Sequence, residues 1–422
     1  MPSAATSTSP VVFISAGEAS GEHYGALLAN ALLSRAPGPK SQTAERPFGM
    51  GGPQMAAAGV DLVVRAEDMA VMGLTEVVLH LPRIYREFRK LKRAIRARRP
   101  DVAVLIDFPE IHFRLAKELH RLGVPVIYFV SPQLWAWKQH RIELVRKYVK
   151  RMLVIFPFEE QYYRDRGVQA EFVGHPLAEL PAPTVTREQF AAENGLDPTR
   201  TWIGLLPGSR LGEIQDHLPE MLEAARELSA TSMTALGSQW KFEFLVPLAP
   251  TLDMEQKSAV AHVLRDRGDG LSVWLVNDAR AVLKHSRASV VASGTATVEA
   301  ALIGNPFVVV YRVSPVTYAI AKRVVKVPHV AMANLIAGKR VVPELIQHDF
   351  TAANIVQHLV PLLPDGPPRE SMTIELRAIR QALRVRRSES YNRESGAIQR
   401  VADIVQQELE AKLPAALLPE QR

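Results

Sequence analysis

Short apolar runs alternate with amphipathic stretches along most of the chain. The apolar runs have the length of buried strands, and the stretches between them place apolar residues every three or four positions, as on one face of a helix. This alternation is typical of parallel βαβ units. The predicted strands are Val11–Ser15, Asp101–Ile106, Pro125–Val130, Met152–Phe156, Trp202–Leu206, Ser272–Leu275, Ala288–Ala292 and Phe307–Val310.

The predicted helices include Gly25–Ser34, Phe113–Arg121 and a helix that starts near Glu213. A final amphipathic stretch, Thr373–Leu413, is predicted to pack back on the first domain. The helix near Glu213 collects apolar side chains on one face, namely Ile214, Leu218, Met221, Leu222, Ala225 and Leu228.

The segment Leu180–Arg200 interrupts this pattern, because it is poor in apolar runs and rich in turn-forming residues. We therefore predict a linker at 181–200. Two doubly wound halves of the α/β class place a cleft between the carboxyl ends of their sheets, where ligands bind. The predicted divisions are a disordered tail at 1–10, Rossmann-like domains at 11–180 and 201–372, and C-terminal helices at 373–422.

The composition is globular, since apolar residues make up 47% and charged residues 23% of the 422 positions. Lys and Arg number 51 against 44 Asp and Glu, a basic excess that favours an anionic substrate or surface. The chain has no cysteine, which excludes disulfides, zinc–thiolate sites, iron–sulfur clusters and cysteine nucleophiles. We find neither a secretory signal nor a run of ~18 apolar residues, so we expect a cytoplasmic protein with at most peripheral membrane contact.

Three predicted strand-to-helix turns contain residues suited to ligand binding. In the first, SAGEASGEH at 15–23, glycines let the backbone approach a ligand or a neighbouring helix closely. Its candidate residues are Glu18, Ser20, Gly21 and His23. A tight turn with solvent-facing acids explains the same segment, so both interpretations stay open. The turn is not a P-loop, because no Gly-Lys-Ser/Thr follows.

The second turn, Pro207–Arg210, precedes a predicted helix. A helix N-terminus offers unpaired N–H groups and a partial positive charge, which attract phosphate. Ser209 lies in this turn, and Arg210 is placed to hold a diphosphate through paired hydrogen bonds. A surface ion pair between Arg210 and Glu213 is the alternative.

The third turn opens another helix, with Ser293, Gly294 and Thr295 as candidate phosphate-binding residues. The hydroxyls also suit helix capping, which uses the same geometry. Glu299 lies one turn further on, placed to reach ribose hydroxyls, although a solvated carboxylate is the commoner case. Together the second and third turns predict a cradle for a nucleotide diphosphate. No Asp-x-Asp motif is present to hold a metal there, so if the diphosphate leaves during a reaction, protein groups alone must stabilise its charge.

The first domain is then expected to bind the acceptor. Asp107 follows a predicted strand at the carboxyl end of the sheet, where a carboxylate is a candidate general base for an alcohol. A helix N-cap is its competing role. Trp137 follows the strand Pro125–Val130 and is a candidate for stacking on a sugar face, with a packed aromatic anchor as the alternative.

The segment 69–99 joins an apolar start to a basic end, with nine Lys or Arg between Arg83 and Arg99 against one acid, Glu87. This combination favours peripheral binding to an anionic bilayer, where each cation contributes about 1 kcal/mol. A solvated basic face on a domain helix is the alternative. The residues predicted to face the membrane are Arg83, Arg86, Arg89, Lys90 and Arg93.

Many short motifs, from about Val11 to about Gln399, resemble the lipid-A-disaccharide synthase family. Each motif is weak alone, but their number and their order make the resemblance specific. They include SAGEASG at 15–21, GGP at 51–53, VSP at 130–132, WAW at 135–137, FPFE at 156–159, FVGHPL at 172–177, LPGSR at 206–210, ASGTAT at 292–297 and PEL at 343–345.

The resemblance implies the GT-B fold, with two Rossmann-like domains and a cleft between them. It also implies an inverting transfer from UDP-2,3-diacylglucosamine to 2,3-diacylglucosamine 1-phosphate. This reaction forms the β-1′,6-linked lipid A disaccharide 1-phosphate and releases UDP without a metal or cofactor. Asp107 matches the family's catalytic aspartate, and Arg210, Glu299 and Asn334 match positions associated with UDP binding and activity. We further expect a peripheral location on the inner face of the inner membrane, a possible homodimer and no nucleic-acid partner.

Two departures from the family pattern are present. Residues 110–112 read Glu-Ile-His where the family has Asp-Phe-Asn, and Met332-Ala333 replaces Leu-Pro. The first departure concerns the acceptor side, so the acyl-chain preference is not carried over from the family. The nearest alternative function is another GT-B enzyme, such as a UDP-N-acetylglucosamine epimerase or a transferase acting on a different lipid. A non-enzymatic protein that binds nucleic acid or membrane is a further alternative, but it leaves the diphosphate turns unexplained.

Overall fold

The computed structural model describes residues 10–35, 46–69, 74–231, 240–324, 327–384 and 396–412. Within these ranges the chain forms two compact units. The first unit comprises the described residues up to Glu179 together with 396–412, and the second comprises Leu180–Arg384. Each unit has its own parallel sheet with helices in the connections, which confirms the predicted α/β class.

The first unit is built on seven strands in the described part of the chain: β1 Val12–Ala16, β2 Phe48–Gly51, β3 Asp61–Arg65, β4 Val102–Ile106, β5 Val126–Phe129, β6 Arg151–Val154 and β7 Ala170–Phe172. Their order across the sheet is β3-β2-β1-β4-β5-β6-β7, and every pair is parallel. The connections change direction between the neighbours β1 and β4. In open α/β sheets, ligands bind at the carboxyl ends of the strands at such a switch point.

The second sheet contains six described strands: β8 Thr201–Leu206, β9 Phe242–Pro247, β10 Val273–Val276, β11 Ala288–Ala292, β12 Phe307–Tyr311 and β13 Glu344–Ile346. Their order is β10-β9-β8-β11-β12-β13, again with parallel pairing. The switch point of this sheet therefore lies between β8 and β11, the first and fourth strands of the unit.

Helices connect the strands and cover the sheets. The first unit contains α1 Ala19–Ser34, α2 Pro53–Ala57, α3 Leu74–Arg98, α4 Pro109–Arg121, α5 Ile142–Tyr148 and α6 Pro157–Arg164. The second contains α7 Arg187–Asn194, α8 Leu211–Thr231, α9 Met254–Arg267, α10 Ala279–His285, α11 Thr295–Ile303, α12 Pro315–Val324, α13 Met332–Ala337, α14 Ala352–Leu359 and α15 Pro367–Ala382. The last described helix, α16 Ala397–Glu410, returns to the first unit. Short 3-10 turns occupy Ala66–Asp68, Gln139–Arg141, Pro176–Glu179, Gln347–Asp349 and Val360–Leu362.

All eight predicted strands are present, with ends displaced by no more than two residues. The strands β2, β3, β7, β9 and β13 were not predicted. Two of these, β7 and β13, are only three residues long. Half of β2 is glycine, a residue depleted in strands, so its sequence gives little indication of a strand.

The predicted linker contains folded structure that belongs to the second unit. The helix α7 lies within it, and the Thr186 hydroxyl and the Gln189 side chain form a capping box at its start. Phe190 is buried and packs edge-on against Trp202 of β8, with ring centroids 6.0 Å apart. Two of the eight residues of this helix, Phe190 and Ala191, are buried, so the polar composition of the segment gave little indication of a packed helix.

The C-terminal helical stretch divides between the two units, which corrects the prediction that all of it packs on the first domain. Helix α15 packs against α11 and α13 of the second unit, whereas α16 packs against α1 of the first. The predicted disordered tail at 1–10 falls almost entirely outside the described residues, as do residues 385–395 between the two helices.

Candidate active site

Asp107 lies at the carboxyl end of β4, next to β1 and therefore at the switch point of the first sheet. Both Asp107 and Phe108 adopt a left-handed backbone, with φ of 53° and 51°. This conformation is uncommon for residues with a Cβ atom and persists only where the surrounding structure holds it. The N-cap of α4 is Phe108, so Asp107 is not a capping residue and the competing role is excluded.

The loop after β1 packs against this turn. A Cβ atom on Gly17 would lie 2.2 Å from the Phe108 ring, so only glycine fits there. The next residue, Glu18, is exposed. Burial, followed by the negative charge of Glu18, raises the pKa of Asp107 to about 7. The structure therefore brings together Glu18 and Asp107, and it leaves Asp107 able to exchange a proton near neutral pH.

The other predicted residues of this loop lie at the start of α1. Gly21 is buried, and a Cβ atom there would lie 3.4 Å from the Ile106 carbonyl oxygen, so its role is close packing against β4. Ser20 is half-buried. His23 Nδ1 lies 3.0 Å from Gln54 Oε1 at the start of α2. Of the four candidates, Glu18 is the one that acts on Asp107 electrostatically.

The two tryptophans after β5 have different environments. Trp135 is buried, and its Nε1–H donates to Glu159 Oε1 over 3.1 Å. Trp137 is 41% exposed and lies beside Lys138, whose Nζ is 4.1 Å from the ring centroid. The packed-anchor interpretation therefore describes Trp135, and Trp137 is accessible to a ligand.

Glu159 anchors this loop, and the sequence analysis did not identify it as functional. Its carboxylate is buried and accepts hydrogen bonds from Ser131 Oγ (2.9 Å), Trp135 Nε1 (3.1 Å) and the Phe156 amide (3.1 Å). Burial raises its pKa to about 7, since the loss of hydration outweighs these three donors. In the sequence, the only feature that marks Glu159 is its position in the FPFE motif at 156–159.

The second unit presents its candidate residues at its own switch point. Ser209 and Arg210 follow β8 and are exposed. The Ser209 amide donates to Glu213 Oε2 (3.2 Å), and Arg210 Nη1 lies 3.4 Å from Glu213 Oε1. The surface ion pair considered from the sequence is therefore present. These contacts also establish that an amide and a guanidinium converge on one anionic group at the start of α8.

The neighbouring strand β11 leads into α11. Gly294 is the N-cap, with a φ of 152° that favours glycine, and it provides no side chain to cap the first amides of this helix. Ser293 is half-buried, Thr295 is exposed, and Glu299 is half-buried one turn into the helix. Because β8 and β11 are adjacent, the turn at Ser209 and Arg210 and the start of α11 lie at neighbouring strand ends. This arrangement suits an anion that contacts both.

Asn334 is buried, in contrast to the exposed position that a nucleotide contact requires. Its Oδ1 accepts hydrogen bonds from the amides of Val341 (2.7 Å) and Val342 (2.9 Å). Its Nδ2 donates to the Val342 carbonyl (2.9 Å) and to Glu344 Oε1 (2.8 Å). Both acceptor and both donor positions of the amide are thereby used, so Asn334 does not reach a ligand directly in this structure.

Glu344 extends this network to the loop before α13. Its carboxylate also accepts from the amides of Val330 (3.1 Å) and Ala331 (2.9 Å). Ser293 Oγ lies 3.5 Å from the Val330 carbonyl oxygen. Asn334 and Glu344 therefore hold a loop that borders one of the candidate anion-binding residues.

The five residues predicted to face a membrane are exposed on α3. Arg86 and Lys90 pair with the buried Glu87, and Arg83 pairs with Asp68. The apolar start of the segment falls largely on residues 70–80, whose side chains lie outside the described structure. None of the helices in the described ranges is both long and apolar enough to cross a membrane. The same ranges contain no cluster of three or more His, Cys, Asp or Glu placed to bind a metal ion.

Replacement of Asn334 by Ala is expected to lower the free energy of unfolding of the second unit by about 2–4 kcal/mol, because it leaves buried amides and a carbonyl without partners. Hydrogen exchange at the amides of Val341 and Val342, together with thermal unfolding, measures this loss. The control is Asn354→Ala, at a half-exposed position with one bond to the Asp349 carbonyl, for which we expect a loss below about 1 kcal/mol. Equal losses in the two variants contradict the assigned role.

Comparison with known proteins identifies the family. The profile of the family described as lipid-A-disaccharide synthetase matches residues 12–400. The chain is 57% identical over 388 residues to the lipid-A-disaccharide synthase of Acidobacterium capsulatum, covering 89% of this chain and 92% of that protein. It is 51% identical over 376 residues to the lipid-A-disaccharide synthase of Koribacter versatilis, covering 88% and 93%.

Solved structures share the fold at low identity. CalG4, the calicheamicin glycosyltransferase, is 18% identical with a TM-score of 0.56, covering 96% of this chain and 100% of that chain. The UDP-GlcNAc 2-epimerase from Neisseria meningitidis is 13% identical with a TM-score of 0.55, covering the same shares. These similarities confirm the GT-B fold and, at such identities, nothing beyond it. The family match and the two relatives show that this chain belongs to the lipid-A-disaccharide synthase family, and it is a glycosyltransferase that forms the lipid A disaccharide.

Proposed function

We propose that the chain transfers 2,3-diacylglucosamine from UDP to 2,3-diacylglucosamine 1-phosphate with inversion, and that Asp107 is the general base. The 6-hydroxyl of the acceptor attacks the anomeric carbon of the donor from the face opposite UDP. Asp107 removes the hydroxyl proton as the new carbon–oxygen bond forms. The bond between the anomeric carbon and the diphosphate oxygen breaks, and UDP leaves with its electron pair.

The main support for this assignment is the placement of Asp107. It lies at the switch point of the first sheet, where ligands bind in this architecture. Its raised pKa of about 7 makes it a stronger base than an ordinary carboxylate while half of it remains ionised near neutral pH. Asp107 and Phe108 both have a left-handed backbone, which the surrounding structure must hold, and this favours a fixed direction for the carboxylate.

We assign stabilisation of the leaving UDP to the second unit. The Ser209 amide and the Arg210 guanidinium bind the Glu213 carboxylate in this structure, and we propose that the diphosphate displaces it and takes the same donors. The start of α11, at Ser293, Gly294 and Thr295, adds N–H groups and a partial positive charge. Glu299 is the candidate for binding ribose hydroxyls, and Asn334 contributes through the loop that it holds.

Both substrates have acyl chains, and we propose that α3 brings the enzyme to them by binding an anionic bilayer. Tyr85 and Leu81 are 63% and 51% exposed on this helix beside the basic residues, a combination that suits a lipid interface. The location is then the inner face of the inner membrane. A homodimer stays a prediction from the family resemblance.

Replacement of Asp107 by Asn is expected to lower kcat by about 10²–10⁴-fold, because the isosteric amide cannot take the proton. KM for both substrates is expected to change little, since the size and polarity of the side chain are kept. Steady-state assays that follow UDP release measure both constants. The matched control is Asp165→Asn, an exposed position in the same unit, which should retain its kcat. A near-normal kcat in Asp107→Asn contradicts the assignment.

The pH dependence of kcat/KM is expected to rise through an apparent pKa near 7, because ionised Asp107 is the active form. Replacement of Glu18 by Gln removes a negative charge that disfavours this ionisation. The pKa of Asp107 therefore falls, and the rising limb moves to lower pH. His112 does not produce this limb, since burial lowers its pKa to about 4. A limb that stays in place or moves to higher pH in Glu18→Gln argues against the coupling.

The double variant Arg89→Ala with Arg93→Ala is expected to bind vesicles containing phosphatidylglycerol about 30-fold more weakly, from about 1 kcal/mol for each lost cation. Co-sedimentation at low ionic strength measures this partition. The charge-matched control, Arg146→Ala with Arg164→Ala, removes two cations from α5 and α6 and should bind nearly as well as the unchanged protein. Equal losses in the two double variants indicate attraction by net charge alone and contradict a membrane face on α3.

A further inference from the structure

His112 is a buried polar residue of the first unit to which the proposed mechanism gives no role. It lies in the first turn of α4 and is 0% exposed. Its Nδ1 lies 2.5 Å from the carbonyl oxygen of Asp107, and its Nε2 lies 2.8 Å from Ser15 Oγ on the adjacent strand β1. Both ring nitrogens therefore have partners, and one partner is the backbone of the proposed base.

These contacts determine the tautomer of His112. A carbonyl oxygen has no proton to donate, so Nδ1 must bear the hydrogen of this bond. Burial lowers the pKa of His112 to about 4, so the ring is neutral at physiological pH and Nε2 has no hydrogen. Nε2 then accepts the Ser15 hydroxyl proton. The direction of the whole chain of hydrogen bonds is thus set, from the Ser15 hydroxyl through the imidazole to the Asp107 carbonyl.

The carbonyl oxygen of Asp107 receives a second buried donor. Tyr128 Oη, on β5, donates to it over 2.7 Å. The two hydrogen bonds act on a residue whose backbone is left-handed, a conformation that the residue does not favour by itself. Because the carbonyl and the carboxylate belong to one residue, holding the carbonyl restricts the direction in which the side chain leaves the turn.

We propose that His112 is a positioning residue for the transfer reaction: its Nδ1–H holds the carbonyl of Asp107 and thereby keeps the carboxylate in its reactive direction. His112 acts through Asp107 and contacts no substrate. This inference rests on the proposed function of Asp107 as the base. It gives a role to a position at which this chain departs from the pattern of the family that it resembles.

Two substitutions separate positioning from simple packing. In His112→Asn the side-chain nitrogen is bonded to the γ-carbon, like Nδ1 of histidine, so the donor to the Asp107 carbonyl is kept. In His112→Gln the amide lies one carbon further out, near the former Nε2 and Ser15. Glutamine is closer to histidine in volume, so a packing role predicts that Gln is the better replacement.

We expect His112→Asn to keep kcat within about 3-fold of the unchanged enzyme, and His112→Gln to lose about 10–100-fold, the scale of a small misplacement of a reacting group. KM for both substrates should change by less than about 2-fold in each variant. The melting temperature should show the opposite order, since Asn leaves the larger cavity. A kcat that follows the melting temperature, or a Gln variant at least as active as the Asn variant, overturns the proposal.

Tyr128→Phe provides an independent test, because it removes the other donor to the same carbonyl and keeps the ring. We expect a loss of kcat without a change in KM, and a non-additive loss when it is combined with His112→Gln. Should both His112 variants fail to fold, a normal kcat in Tyr128→Phe overturns the proposal. Near-normal activity of Asp107→Asn refutes the proposed function itself. An inactive Asp107→Asn with equal activities of His112→Asn and His112→Gln refutes only the positioning role.

Discussion

The geometry at the end of β4 depends on the hydrogen bonds that the Asp107 carbonyl oxygen accepts. Donors from His112 and Tyr128 reach this atom from α4 and β5, and Gly17 leaves room for the ring of the next residue, Phe108. A left-handed turn is thereby held where an isolated chain would relax to an extended conformation. Burial of the carboxyl group at this turn also raises its pKa to about 7.

Both units place candidate residues after the same two strands of the sheet, but the residues differ in charge. In each, the first and fourth strands are neighbours, and the loops that follow them contain the candidate residues. In the first unit these loops contain Glu18 and Asp107, whose like charges disfavour ionisation and retain a proton. In the second they contain Arg210 and uncapped helix amides, which stabilise negative charge. The order of the strands therefore accounts for where the candidate residues lie. The residues of the loops determine whether negative charge is disfavoured, as in the first unit, or favoured, as in the second.

The environments of the buried polar residues depend on contacts between distant parts of the chain. Asp107 and Arg210 follow predicted strands, so their location at sheet edges is a local property of the chain. Glu159 and His112 are held in their buried positions partly by partners 28 and 97 positions away, Ser131 and Ser15. Asn334 matches a position associated with UDP binding and activity, and its amide forms four internal hydrogen bonds. Spacing along the chain contains no information on such pairings.

The sequence by itself determined the α/β class, the strands with continuous apolar runs, the three turns with candidate chemistry and the resemblance to one family. These follow from periodicity and from short motifs, which are local. Tertiary structure alone decided that α7 and α15 belong to the second unit, that the pKa of Asp107 is raised to about 7 and that Asn334 is buried. The physical reason is that burial, desolvation and hydrogen-bond saturation depend on residues brought together from distant parts of the chain.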